Sequence, residues 1–383
     1  MSSDEARLLA TRAEFPTLEK KTHLISHSLG AMPARARKYV EQLMSEWEND
    51  SIDAWHLHWL PAVEQLGDLI AQVLGVSPGT VVINQNVSTI QSVVASCFDF
   101  SGERNKVVYS DMNFSTVDYV WQEQRRRGAD VVVVKSDGIH APMEGLLAAI
   151  DARTLIVPVS HVMFRSSGVK DVHALVKRAH EVGALVMLDT YQSAGTIPLH
   201  LEKWGVDLAC GGSVKWACGG PGAAYLYVKP EIRDRLRPAQ TGWFGHARPF
   251  AFEPGPVAYA EDRWRLLGGT PAIPALYTAR AGWELLLEVG VEAIRKKSLR
   301  QTTMLREMVR ERGFHVNTPE RDEERGGTIV FDFEGAQDVS TALLGHGMLH
   351  DYRPRAGIRA SPHYYTTDEE LVRFVETIDT LRK

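Results

Sequence analysis

The sequence predicts an α/β protein, with a large domain on a mostly parallel sheet followed by a smaller α+β domain. Three observations carry this. Its 383 residues exceed one ordinary core and suit one large domain plus a smaller one. Between residues 80 and 189, short apolar runs alternate with segments of helical period. Those runs are apolar throughout rather than at alternate positions, as expected of strands covered on both faces.

The elements follow in order. "TVVINQN" (80–86) reads as a strand and "STIQSVVASCF" (88–98) as a helix. "NKVVYSD" (105–111) is a strand, 115–127 a helix, "DVVVVK" (130–135) a strand, "MEGLLAAI" a helix and "TLIVPVS" (154–160) a strand. In "DVHALVKRAHEVG" (171–183), Val172, Leu175, Val176, Ala179 and Val182 share one helical face; Asp171 can cap its start and Gly183 can end it. "ALVMLD" (184–189) is the next strand. After residue 270 the texture becomes a long helical stretch, a strand at "GTIVFDF" and a final helix from about 367. The first 45 residues hold an extended piece, "THLISHSLGAMP", and a helix. The expected organisation is an N-terminal segment (1–45) packing with the small domain, a large domain (46–275) and a small C-terminal domain (276–383).

Composition narrows the function. Hydrophobic residues are 44% and charged residues 24% of the chain, as in ordinary globular proteins. A net charge of −5 gives no reason to expect nucleic acid or an anionic membrane as partner. No apolar run approaches the roughly 18 residues needed to span a bilayer. The N-terminus lacks the plan of a signal peptide. Cys97, Cys210 and Cys218 lack the spacing of a zinc or redox site and read as reduced thiols of a cytoplasmic protein. No metal site is expected.

In a parallel sheet, ligands bind beyond the carboxyl ends of the strands. Three such places carry polar residues. Val87 and Ser88 follow a strand and open a helix, whose free N–H groups suit phosphate. Asp189 ends "ALVMLD" and can pair with a buried cation such as a protonated pyridine nitrogen. Lys215 lies in "ACGGSVKWACGGPGAAYLYV" (209–228), among glycines that allow close approach to a flat ring; in a partly dry site its amine becomes a nucleophile toward an aldehyde. Singly these read as a capping serine, a turn carboxylate and a solvated lysine. Together they are what pyridoxal 5'-phosphate requires: a phosphate cradle, a partner for the ring nitrogen and an amine to form the Schiff base.

The stretch "LDTYQSAGTIPLHLEKWGVDLACGGSVKWACGGPGAAYLYV" resembles the cofactor region of class V aminotransferase-fold (fold type I) enzymes, and the likeness to kynureninases extends over nearly the whole chain. "HSLGAMP" (27–33), "TGWFGH" (241–246), "GGTPAI" (268–273), "RKKSL" (295–299), "ERGGTIVF" (324–331), "DYR" (351–353) and "GIRASPHYYTT" (357–367) follow in the family's order. The resemblance implies that Val87 and Ser88 meet the phosphate and Phe114 stacks on the pyridine ring. It makes Asp189 the partner of the ring nitrogen and Lys215 the covalent anchor. Trp243 and Thr270 would complete the phosphate side from a neighbouring subunit, so a homodimer with shared sites is expected. Arg359 would grip the substrate's α-carboxylate. Trp55 and His56, in "AWHLHW" (54–59), fall near the segment that shapes the side-chain pocket; half-buried packing explains them equally well.

The departures are also specific. Kynureninases usually have Tyr-Lys at the anchor, where this chain has Val214-Lys215. Their histidine three residues after the aspartate is Gln192, which can hydrogen-bond the cofactor's ring oxygen but cannot carry a proton. His27 stands where asparagine is usual, and "FSTV" has lost an acidic residue. The implied activity is side-chain cleavage of an α-amino acid, by Cβ–Cγ hydrolysis or β-elimination. The alternatives are a C–S lyase, a decarboxylating or transaminating enzyme of a biosynthetic pathway and, last, a non-catalytic pyridoxal phosphate binder.

Overall fold

The computed structural model describes residues 3–382. Seven strands form the large sheet: β1 (Val81–Asn84), β2 (Lys106–Ser110), β3 (Asp130–Val134), β4 (Thr154–Ser160), β5 (Leu185–Asp189), β6 (Leu208–Gly212) and β7 (Ala224–Val228). Their order across the sheet is β1-β7-β6-β5-β4-β2-β3. β7 runs antiparallel to both its neighbours, and the other pairings are parallel. Every residue of β1, β2, β6 and β7 is buried, which requires cover on both faces. The edge strand β3 is only partly buried.

Helices supply that cover. α1 (Arg35–Asp50) and α2 (Leu60–Leu74) both pack on the helix Ile273–Val289, numbered α7. α3 (Val87–Ser96) lies on β6 and β7 and against α4 (Ser115–Glu123). α5 (Met143–Ala149) covers β2 and β3, and α6 (Val172–Glu181) covers β4 and β5. The capping expected of Asp171 is present: its side chain accepts the Ala174 N–H at 3.0 Å. The long helical stretch divides into α7 (Ile273–Val289) and α8 (Val291–Glu311). Gly290 between them has φ +79°, a left-handed conformation that a side chain would strain. The last helix, α10 (Asp368–Leu381), follows α9 (Ala336–Gly345) and opens with a capping box between Thr367 and Glu370.

A second antiparallel sheet joins β8 (His315–Val316), β9 (Ile329–Asp332), β10 (Asp351–Arg353) and β11 (Gly357–Ala360), in the order β10-β11-β9-β8. Its core gathers Leu305, Phe314, Ile329, Phe331, Ile358, Leu371 and Phe374. The N-terminal segment touches both units. Thr22–His23 pairs in parallel with Met348–Leu349, while Phe15 and Leu18 belong to the large core. Gly30 N–H bonds the Val214 carbonyl at 2.8 Å, tying this segment to the backbone beside Lys215.

Candidate active site

Strand register brings the candidate residues to one edge of the large sheet. Ser160 of β4 pairs with Asp189 of β5, which pairs with Cys210 of β6. Beyond that edge lies a cavity of about 260 Å³, lined by Asn86, Val87, Ser88, Phe114, Thr116, Ser160, Val162, Phe164, Asp189, Tyr191, Gln192 and Lys215. Six of the expected residues therefore share one cavity: Val87, Ser88, Phe114, Asp189, Gln192 and Lys215.

Each has a local reason to be there. Asn86, in extended conformation, caps α3 by accepting the Thr89 N–H at 2.9 Å. Val87 and Ser88 thus occupy the first helical turn, whose N–H groups have no acceptor within the helix. Ser88 is not the cap; its hydroxyl lies 3.0 Å from that of Thr116. Phe114 precedes α4 and meets Phe164 edge-on at 5.4 Å. Asp189 is held by the Tyr191 N–H at 2.9 Å. Burial raises its carboxyl above the ordinary range, with that hydrogen bond and the charges of Lys215 and Lys170 opposing. A positive charge placed beside it would restore its ionisation.

Lys215 follows β6. Its Nζ lies 4.4 Å from the Tyr191 ring centre and 5.4 Å from that of Phe114. Burial lowers its basicity to about 8, against the pull of Asp189 and with the help of Arg359. About a tenth of it is free amine at pH 7 and about half at pH 8, the form that attacks an aldehyde. Gln192 is already engaged, donating to the His27 carbonyl at 2.9 Å and accepting from Trp216 Nε1 at 3.0 Å.

Arg359 is buried beside this cavity, donating to the carbonyl of cavity-lining Phe164 at 2.7 Å. Its fork is not open as expected. Asp351 takes Nε at 2.7 Å and Nη2 at 2.6 Å. Asp351 also accepts from His27 Nε2 at 3.0 Å, and His27 Nδ1 meets the Ser361 hydroxyl. Burial, then the charge of Arg359, lowers His27 to about 4, so at pH 7 it is neutral, with its proton on Nε2 facing the carboxylate. Burial alone would raise Asp351, but hydrogen bonds from His27 and Arg359 prevail and hold it well below the carboxylate range. Sequence reasoning missed this role, although Asp351 opens the quoted "DYR". It also missed Tyr191, two residues after Asp189.

Trp243, Thr270, Trp55 and His56 do not line the Lys215 cavity. Thr270 borders a cavity of about 130 Å³ with Gln85 and Thr89. His56 lines a groove of about 390 Å³ with Phe244, His246, Phe250 and Trp264. Trp55 packs edge-on against Trp59 at 5.1 Å. Trp243 is 39% exposed and stacks on Phe252 at 6.0 Å.

The cavity fits pyridoxal phosphate on its own chemistry. It offers an amine of lowered basicity, a buried carboxylate awaiting a cation, an aromatic ring and a helix start with adjacent hydroxyls. Ser160 Oγ, buried in its wall, has no hydrogen-bond partner among the described residues. Fold and cavity together define a pyridoxal-phosphate-dependent enzyme of fold type I.

The comparisons place it more closely. The family model for Aminotransferase class-V matches residues 33–374, and the chain belongs to that family. It is 31% identical to the uncharacterized aminotransferase YcbU of Bacillus subtilis over 96% of each chain. It is 30% identical to a kynureninase of Bacillus anthracis over 97% of this chain and 91% of that one. A kynureninase of Pseudomonas fluorescens is 31% identical over 95% and 90%. Among solved structures, an apo cysteine desulfurase of Thermococcus onnurineus superposes with a TM-score of 0.87 at 19% identity, covering 97% of each chain. The cystine C-S lyase C-DES in complex with cysteine persulfide gives 0.86 at 20%, covering 95% of this chain and 98% of that one. These two likenesses speak for the fold alone.

Proposed function

We propose that this enzyme cleaves the side chain of an α-amino acid, by hydrolysis at Cβ–Cγ or by elimination from Cβ. The observation that carries this reading is Lys215: a partly desolvated amine between two aromatic rings, in one cavity with Asp189 and next to Arg359. The kynureninase relatives, matched over nine-tenths of their length, support the choice of bond.

Lys215, Asp189, Phe114 and the start of α3 would hold the cofactor, which when bound withdraws electrons from the substrate's α-carbon. Lys215 then has two duties. It would hold the cofactor at rest and, as a free amine, take and return the proton at the substrate's α-carbon. Asp189, deep in the site, would keep a positive charge at the ring nitrogen. Arg359 is oriented by Asp351 and Phe164, so its guanidinium is fixed before a carboxylate arrives. Accepting that carboxylate with two prongs requires its Nη1–Nη2 edge or the withdrawal of Asp351. Gln192, tied to His27 and Trp216, positions but does not move protons.

Cysteine desulfuration of the persulfide-forming kind is disfavoured by the thiols. Cys210 and Cys218 are buried, burial pushes Cys97 and Cys218 up to about 12, and no cysteine lines the cavity. Val214 favours the elimination arm of this reading, at a C–S bond, because it puts no proton donor beside the anchor. The deciding assay offers kynurenine, 3-hydroxykynurenine and cysteine S-conjugates to the cofactor-loaded protein. Anthranilate and alanine support hydrolysis, and pyruvate with a free thiol supports elimination. Borohydride reduction with mass mapping tests the anchor; a modified lysine other than 215 refutes it.

A further inference from the structure

The anchor loop contributes no free hydroxyl to the cavity. Gly212 has no side chain and Val214 is apolar. The Ser213 hydroxyl is committed elsewhere: it donates to the Ala223 carbonyl at 2.8 Å and accepts the Trp283 Nε1–H at 2.9 Å. The other polar groups of the cavity are largely engaged. Asn86 Oδ1 caps α3, Ser88 and Thr116 bond each other, and Gln192 is bound at both ends. Ser160 Oγ has no partner among the described residues but stands in register with Asp189, where the ring nitrogen is expected.

Tyr191 is different. Its side chain crosses over the end of β6, so that a Cβ built on Gly212 would lie 2.4 Å from the Tyr191 hydroxyl oxygen. The phenol therefore occupies the space that a side chain at 212 would fill, three residues before the anchor. It lines the same cavity as Val87 and Ser88. Among the described residues its hydroxyl makes no hydrogen bond. Its ring is held by burial and by the Lys215 amine over its face.

We infer that Tyr191 supplies a phenol hydrogen bond to the phosphate group of the cofactor, in the place left open by Gly212. This rests on the assignment of α3 as the phosphate end of the site. Burial, and then the charge of Asp189, raises the phenol above its ordinary range, so it remains a neutral donor throughout the working pH range. The ring and the hydroxyl then do different jobs: the ring walls the cavity beside Lys215, while the hydroxyl meets the anion.

The test compares binding of pyridoxal 5'-phosphate and of pyridoxal, which lacks the phosphate, to the apoenzyme. Fluorescence titration of wild type and Tyr191→Phe is the readout, with the melting temperature of each apoprotein as the folding check. A hydrogen bond to a charged group predicts that Tyr191→Phe binds pyridoxal phosphate about 10-fold or more weakly, with pyridoxal unchanged. In Tyr191→Ala the space over residue 212 opens, and adding Gly212→Ser returns a hydroxyl there; affinity for pyridoxal phosphate is expected to recover relative to Tyr191→Ala alone. Equal weakening of both ligands in Tyr191→Phe, or no weakening of either, overturns the inference. Wild-type apoenzyme that binds pyridoxal as tightly as its phosphate ester overturns the placement of the phosphate at α3, and this inference with it.

Discussion

The residues of the Lys215 cavity and Trp243, which the resemblance assigns to the same kind of site from a neighbouring subunit, are placed in opposite ways within one chain. Val87, Ser88, Phe114, Asp189, Gln192 and Lys215 converge on a single cavity. Trp243 lies outside it with Phe250 and Phe252, which are 47% and 73% exposed. The first group hangs from strand ends and helix starts, where backbone hydrogen bonds fix the register. The second sits on short turns, Trp243–Gly245 and Pro249–Ala251, and leaves large rings in water. Exposed rings in contact with one another are what a partner's footprint would present. An exposed Trp243 is what a role at the site of a second copy would require.

The sharpest break is at Lys215. Lys215→Ala is expected to lower turnover by roughly 10³-fold or more, with circular dichroism and melting like those of wild type. Normal turnover would end its role as anchor. A pH profile sharpens the same point. Because burial lowers the amine to about 8, capture of pyridoxal phosphate by the apoenzyme should rise through that pH. A rise delayed toward 10 would mean an amine exposed to water.

The second prediction addresses the other region. If Trp243 completes a neighbour's site, Trp243→Ala is poorly active by itself, and so is Lys215→Ala. Mixed and allowed to exchange subunits, the two should recover about a quarter of wild-type activity, because half of random dimers carry one intact site of two. Absence of recovery, with exchange demonstrated, would return Trp243 to a role within its own chain or to none.

What was legible in the sequence follows the same division. Strands from β1 to β5 announced themselves as apolar runs, and their carboxyl ends located Asp189 and the start of α3 without any contact information. The strands β6 and β7 are harder to read, since glycines end the one and the other is a single short apolar run. The break at Gly290 was invisible because apolar helical period continues on both sides of it. Asp351 is the instructive miss. Its motif was seen, but nothing in one strand's sequence says that an arginine eight residues later folds back in register against it; the antiparallel pairing of β10 with β11 does so, setting Asp351 opposite Arg359.

That pair gives the third prediction. Asp351 has a depressed carboxyl in the folded state, so its contribution is fully present above the ordinary carboxylate range, near 4, and is lost as pH falls from there toward the folded value. Asp351→Asn should cost about 2–3 kcal/mol at pH 7, below the range of roughly 3–5 for a fully buried pair, because the carboxylate keeps some solvent contact. The difference from wild type should shrink below pH 4 in denaturant titrations. A gap that is constant from pH 3 to 7 would show that charge is not what Asp351 contributes.

The smallest expected effect tests the cavity against its own departures. Val214 is the apolar neighbour of the anchor, and its carbonyl accepts the Gly30 N–H, a backbone bond that a side-chain substitution leaves in place. Val214→Tyr restores the residue that kynureninases carry there. If the rest of the pocket keeps the kynureninase arrangement, the new phenol should tighten cofactor binding or raise kynurenine hydrolysis a few-fold, about 1 kcal/mol for a neutral hydrogen bond. Tyr191 decides how much remains to be gained. With its hydroxyl already at the phosphate, the gain in cofactor affinity should be small in wild type and larger in the Tyr191→Phe background, so the two substitutions should be non-additive. Additive effects would place the two phenols on different atoms of the site. No effect in either background would mean that the pocket around Val214 has diverged in more than this one side chain.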